Sequence, residues 1–171
     1  MRDLILKMAI SIDGFVGGLD GGIKWVFNGD QEAIAWTVET VWNASLHIMG
    51  SRTFHDIAAY WPTSTEVFAP PMNQIPKAVF SRQGPAVLKA ANTTAALRDA
   101  RVNAGTRQSA ELQPGGDSWA EAYVASGDLA AEVATLKAQE GKPIVAHGGA
   151  SFARSLIALG SSTNITCWCI R

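Results

Sequence analysis

The chain has 171 residues, 47% of them hydrophobic and 17% charged, with a formal net charge of −1; this suits one globular domain with a sizeable core, and a second domain is not expected. So even a balance excludes a broad basic surface for nucleic acid or an anionic membrane, and any anion site must be local. Lys7, Ser11 and Asp13 interrupt the apolar amino terminus and no later stretch reaches a membrane span, so the expectation is a soluble cytoplasmic protein.

Residues 4–12 (LILKMAISI) are mostly branched and apolar and stop at Asp13-Gly14, which predicts a central strand and a turn. A glycine-rich loop fills 17–25. Residues 30–42 place Ile34, Val38, Val41 and Trp42 at helical spacing, with Asp30 and Glu32 where acidic groups favour a helix amino end. Residues 44–50 predict a second buried strand. Residues 51–62 predict a helix with Phe54, Ile57, Ala58 and Trp61 on one face, ended by Pro62. Residues 77–81 predict a third strand. From Gln83 to Ser118 large apolar groups are few, which predicts a surface insertion with one helical candidate, 93–101. Residues 118–125 predict a strand, and Ser126 a cap for a helix with Leu129, Val133 and Leu136 on its apolar face, ended by Gly141. Residues 144–156 (IVAHGGASFARSL) read as a strand, a glycine pair and a helix. Strands alternating with helices predict an α/β fold with a mostly parallel sheet.

Three predicted strands end on small or polar residues beside a helix start: IMGSRTF, VFSRQ and VAHGGASF. In an α/β sheet such ends share one edge, where ligands bind, and helix-start amides approached through glycines hold phosphate oxygens. A glycine pair alone is more often only a tight connection. Three such ends together point to an extended polyanion such as NADPH. His47, His55 and His147 fall on different elements, so no metal constellation is expected, and Cys167 and Cys169 are too close along a strand-like tail to pair without strain. Trp25, Trp36, Trp42, Trp61 and Trp119 read as core or pocket wall.

The ordered set KMAISIDGFVGG, Trp25 with Asp30 five residues on, IMGSRTF…WP, KAVFSR and IVAHGGASFARSL resembles the dihydrofolate reductase-like superfamily, most of all the small bacterial proteins related to the reductase domain of the bifunctional riboflavin-biosynthesis deaminase-reductase. The resemblance implies a three-layer α/β fold, a homodimer, NADPH as cofactor, and reduction of a pterin- or aminopyrimidine-like compound, as in 5-amino-6-(5-phosphoribosylamino)uracil reductase. It places Ala9, Val16 and Gly17 against the nicotinamide half of the cofactor, and Gly50, Ser51, Arg52 and Thr53 at a helix start holding phosphate. Ser81 and Arg82 would meet the 2'-phosphate. His147, Gly148, Gly149, Ala150 and Ser151 would lie over the pyrophosphate and nicotinamide, followed by the aromatic Phe152. Asp30 matches the acidic substrate position, where a carboxylate in an apolar pocket engages adjacent N–H donors; it equally suits a helix cap, and Glu32 is the alternative carboxylate. The glycine loop at 17–22 is either a lid or a flexible connection. Two other readings stay open: a cofactor-binding homologue with little activity, and a structural α/β subunit.

Two departures accompany the resemblance. Ser51 stands where dihydrofolate reductases commonly carry arginine, with Arg52 the next cation, and no binding set for a substrate ribose phosphate is evident. The tail SSTNITCWCIR also replaces the expected continuation after Gly160. Cys-Trp-Cys is encoded TGY-TGG-TGY, which a one-base shift reads as Leu-Val, so the expectation is a one-base deletion near Gly160, truncating the carboxyl-terminal strands and leaving a sheet edge open to dimerisation or aggregation; the alternative is that the tail, which alternates like a strand through Ile165, Cys167 and Cys169, still pairs with the sheet. Sequencing the intact parental locus checks this.

Overall fold

The computed structural model describes residues 1–27, 31–89 and 94–160, and the backbone course of 164–170. The strands are β1 (Leu4–Ser11), β2 (Leu46–Gly50), β3 (Lys77–Phe80), β4 (Tyr123–Ala125), β5 (Ile144–His147) and β6 (Asn164–Ile170). The helices are α1 (Gln31–Trp42), α2 (Ser51–Ala58), α3 (Ala69–Gln74), α4 (Ala95–Ala104), α5 (Leu129–Ala138) and α6 (Ala150–Ala158). The sheet order is β4-β3-β2-β5-β1-β6, and every described pair is parallel. All strand carboxyl ends therefore lie along one edge, as the α/β reading requires. The tail contributes β6, whose register with β1 runs from Ile5 opposite Asn164 to Ser11 opposite Ile170.

Helices cover both faces of the sheet. On one face Leu4, Leu6, Leu46, Ile48, Ala78, Ile144 and Ala146 pack against Val133 and Leu136 of α5 and Ala153 and Leu156 of α6. On the other, Met49 and Val79 pack against Val41 of α1, Phe54 of α2, Met72 of α3, Val87 and Trp119. A pleated strand alternates its side chains between faces, so β1, β2, β3 and β5 feed both layers. This is the three-layer α/β fold the sequence leads one to expect.

Several local expectations need correction. Helix α2 ends at Ala58, and Trp61–Thr63 forms a separate 3-10 turn around Pro62. The cap of α5 is Asp128, whose carboxylate accepts from the Ala131 amide at 3.0 Å, so Ser126 does not hold that position. Residues 118–125 are not one strand: a 3-10 turn at Gly116–Trp119 precedes the three-residue β4. Trp119 explains the break, because its indole turns inward and donates to Asn73 Oδ1 at 2.8 Å. The stretch from 83 to 118 is also more than surface, since Val87, Leu97 and Ala104 within it are buried, and α4 is capped by Thr94. The inward stripe of α1 runs through Ala33 and Val41; Ile34, Val38 and Trp42 instead line an open depression of about 530 Å³ with Val67. Trp42 is thus a pocket wall rather than core, and Trp36 is part-exposed outside that depression.

Candidate functional site at the strand carboxyl edge

The strongest constellation lies where two neighbouring strands each turn directly into a helix. β2 and β5 are hydrogen-bonded partners, so α2 and α6 begin side by side. Their N-cap residues are Gly50 and Gly149, and neither helix has a side-chain cap. First-turn amides left without intrahelical partners, together with the positive end of each helix dipole, make such a start receptive to anions.

The two starts are also packed together. Gly149 has φ +83°, and a Cβ there would come within 2.7 Å of Thr53 Oγ1. The Thr53 hydroxyl donates to the Gly148 carbonyl at 3.5 Å. At Gly50 a Cβ would lie 3.3 Å from Phe152, whose ring also meets Phe80 at 5.2 Å between centroids. Glycine is required at 149 by backbone conformation and by space at once. Beneath the turn, Gly148 donates to the Lys7 carbonyl and lies beside Met8, which ties the glycine pair to β1. Ser51 and Arg52 sit in the first turn of α2, and Ala150 and Ser151 in that of α6, with Arg52 and Ser151 exposed. Ser81 follows β3 at the same edge; it is buried and accepts from the Gln83 amide at 3.2 Å, while Arg82 is exposed.

The other expected site residues lie on β1, on the loop that follows it and on α1. Ala9 is a half-buried residue of β1. Val16 and Gly17 belong to the loop leaving β1, which closes on itself through Gly18 donating to the Gly22 carbonyl. Asp99 of α4 holds that loop from outside, accepting the Ile23 amide at 2.8 Å. Glu32 is exposed in the first turn of α1. Asp30 lies outside the described residues.

Sequence reasoning missed a buried polar row on the face beneath α1, α2 and α3. Lys7 is the register partner of His147, and His47 that of Lys77, while His47 pairs with Val145, two residues from His147. Although they fall on different elements, His147 Nε2 lies 2.8 Å from His47 Nδ1. Parallel register brings them onto one face of adjacent strands. Burial pushes His47 down to about 4 and His147 well below its ordinary value, and it lowers the Lys7 amine to about 8. Lys77 is likewise lowered to about 8 by burial, opposed by Asp117, and its ammonium donates to Asn73 O and Ser118 Oγ. The available signal was a basic residue inside each of two otherwise apolar strands, LILKMAIS and LHIMG. No group of three or more potential metal ligands exists among the described residues.

Comparison with known proteins matches this architecture. The family model described as the RibD C-terminal domain matches residues 2–165. A crystal structure of a protein assigned to riboflavin biosynthesis from Shewanella sp. PV-4 superposes with a TM-score of 0.55 at 18% identity, covering 99% of this chain and 78% of that one. A diaminohydroxyphosphoribosylaminopyrimidine deaminase/5-amino-6-(5-phosphoribosylamino)uracil reductase from Thermotoga maritima gives 0.53 at 14% identity, covering 92% of this chain. The chain spans only 42% of that bifunctional protein's length. At these identities the two structures show the fold alone. No curated protein is similar enough to count as a match. The match over 2–165 settles the family: the chain belongs to the RibD C-terminal domain family.

Proposed function

We propose that the protein is an NADPH-dependent reductase of a pterin- or aminopyrimidine-like compound, with chemistry akin to the reductase step named for the Thermotoga protein. The observation that carries this reading is the pair of uncapped helix starts, α2 and α6, abutting through Gly149, Thr53, Gly50 and Phe152. At residues 50 and 149 a Cβ would press on Phe152 and Thr53, so glycine lets the two helix starts lie close enough for one dinucleotide to span both. First-turn amides of Ser51, Arg52, Ala150 and Ser151 would hold phosphate oxygens, and the Arg82 guanidinium would meet a 2'-phosphate. When bound, NADPH supplies the hydride, and the chain's task is placement and exclusion of water. The rigid β1 to β5 ladder supports that placement, and the loop held by Asp99 stands beside the exit of β1 as a candidate cover.

The test is NADPH oxidation followed optically with dihydrofolate and with 5-amino-6-(5-phosphoribosylamino)uracil, the compound in the Thermotoga protein's name. Substrate-dependent oxidation with either is expected. A folded protein that binds NADPH yet oxidises it with neither removes the reductase reading and leaves cofactor binding alone.

A further inference from the structure

The row Lys7, His147, His47 and Lys77 crosses four strands inside the protein, and its central pair has a fixed polarity. His47 is fully buried and His147 nearly so. His47 Nε2 lies 3.3 Å from the Pro71 carbonyl, which can only accept, so that nitrogen carries the hydrogen. A neutral imidazole protonated at Nε2 offers a lone pair at Nδ1. His147 Nε2, 2.8 Å away, must therefore be the donor, and its own Nδ1 is the unprotonated nitrogen. The reverse arrangement would set the His47 Nε2 lone pair against a carbonyl oxygen.

The surroundings keep both rings neutral. Burial disfavours the imidazolium, and Lys7 and Lys77 both disfavour charge on His47, while Lys7 does so on His147. The acidic group near Lys77 is Asp117, and the Lys77 ammonium is turned toward Asn73, Ser118 and the Trp119 ring rather than toward the histidines. Among the described residues none is hydrogen-bonded to His147 Nδ1. His147 is also the last residue of β5, next to the glycine pair.

We propose that His47 is a positioning residue: through the chain Pro71 carbonyl, His47, His147 it locks His147 in its Nε2–H form, so that Nδ1 is an acceptor that recognises an amino or ring N–H donor of the bound substrate. This rests on reading the glycine-pair edge as the ligand site. It makes the site selective for compounds presenting a donor at that point, since one presenting an acceptor would meet a lone pair with no proton available.

The direct test is nitrogen-15 NMR of the histidine-labelled protein at neutral pH. A pyrrole-like Nε2 and pyridine-like Nδ1 on His147, with scalar coupling across the hydrogen bond to His47 Nδ1, are expected; the opposite tautomer, or an imidazolium, overturns the proposal. In the NADPH-saturated protein the probe is 5,6-diaminouracil, which should shift the His147 Nδ1 resonance. His47→Gln keeps an accepting oxygen and should bind the probe within about threefold of the parent, whereas His47→Leu should bind about tenfold more weakly and lose the tautomer preference. If NADPH binds but the probe leaves Nδ1 unmoved, the recognition role is wrong. If neither NADPH nor the probe binds, it is the reading of the edge as a ligand site that fails, while the tautomer result stands separately.

Discussion

The two faces of this sheet are built from the same strands and solve different problems. Beneath α5 and α6 the face is wholly apolar, with Leu4, Leu6, Ile48, Ile144 and Ala146 each essentially inaccessible. Beneath α1, α2 and α3, the same strands place Lys7, His147, His47 and Lys77 in a row. The first face gains stability from burial, while the second gives some of it up, since burying basic groups costs free energy unless partners compensate. A group retained at such a cost at a strand carboxyl end, as His147 is at the end of β5, is a candidate for function rather than for folding.

The contrast can be broken hardest on the apolar side. Leu6→Ala should destabilise the protein by about 3 to 4 kcal/mol in urea unfolding, through lost burial and a residual cavity. A loss under about 1 kcal/mol would show that this layer is loosely packed.

The polar face should reveal itself in acid. His47 has a folded value near 4 against an ordinary 6.5, so the unfolded chain takes up the proton first. Stability is therefore full above about pH 6.5 and falls as pH drops toward 4, by about 3 kcal/mol from this residue. His147 acts in the same sense. Urea midpoints across that range measure the slope, which should flatten in the His47→Gln variant.

At the edge where the faces meet the ligand, Gly149→Val should weaken NADPH binding about a hundredfold, because the side chain must occupy space held by Thr53 with a backbone it rarely adopts. Equilibrium binding reads this, with circular dichroism confirming the fold. The smallest effect has the opposite sign: Lys7→Met should stabilise the protein by about 2 kcal/mol at pH 7, since the buried amine has been pushed down to about 8. With the native lysine, stability should rise as pH increases from about 8 toward 10.5, and this rise should be about halved in the variant, the remainder coming from Lys77, which burial lowers equally.

Much of the fold was legible because its signals are local. Apolar runs ending at glycine marked β1, β2 and β5, and helical spacing marked α2 and α5. The glycine-pair turn was legible as well, since residue type there is dictated by backbone conformation. The capping of α5 was misread because Ser126 and Asp128 are both good caps, and only three-dimensional reach to the Ala131 amide decides between them. Helix α3 escaped notice because Pro70 and Pro71 sit at its start, where proline is compatible with a helix but reads as a breaker. The histidine pair was invisible for a deeper reason. His47 and His147 are 100 residues apart, and nothing local says that β5 inserts between β1 and β2.

The most direct test of the account is a titration of the purified protein with NADPH and, in parallel, NADH, followed by tryptophan fluorescence and by energy transfer to the reduced nicotinamide. Saturable binding with a clear preference for NADPH, weakened about a hundredfold by Gly149→Val and less by Arg82→Ala, is the result predicted by two abutting helix starts with a cation beside them. A protein shown to be folded that binds neither nucleotide would contradict it, leaving the glycine-pair edge as a connection between strands and nothing more.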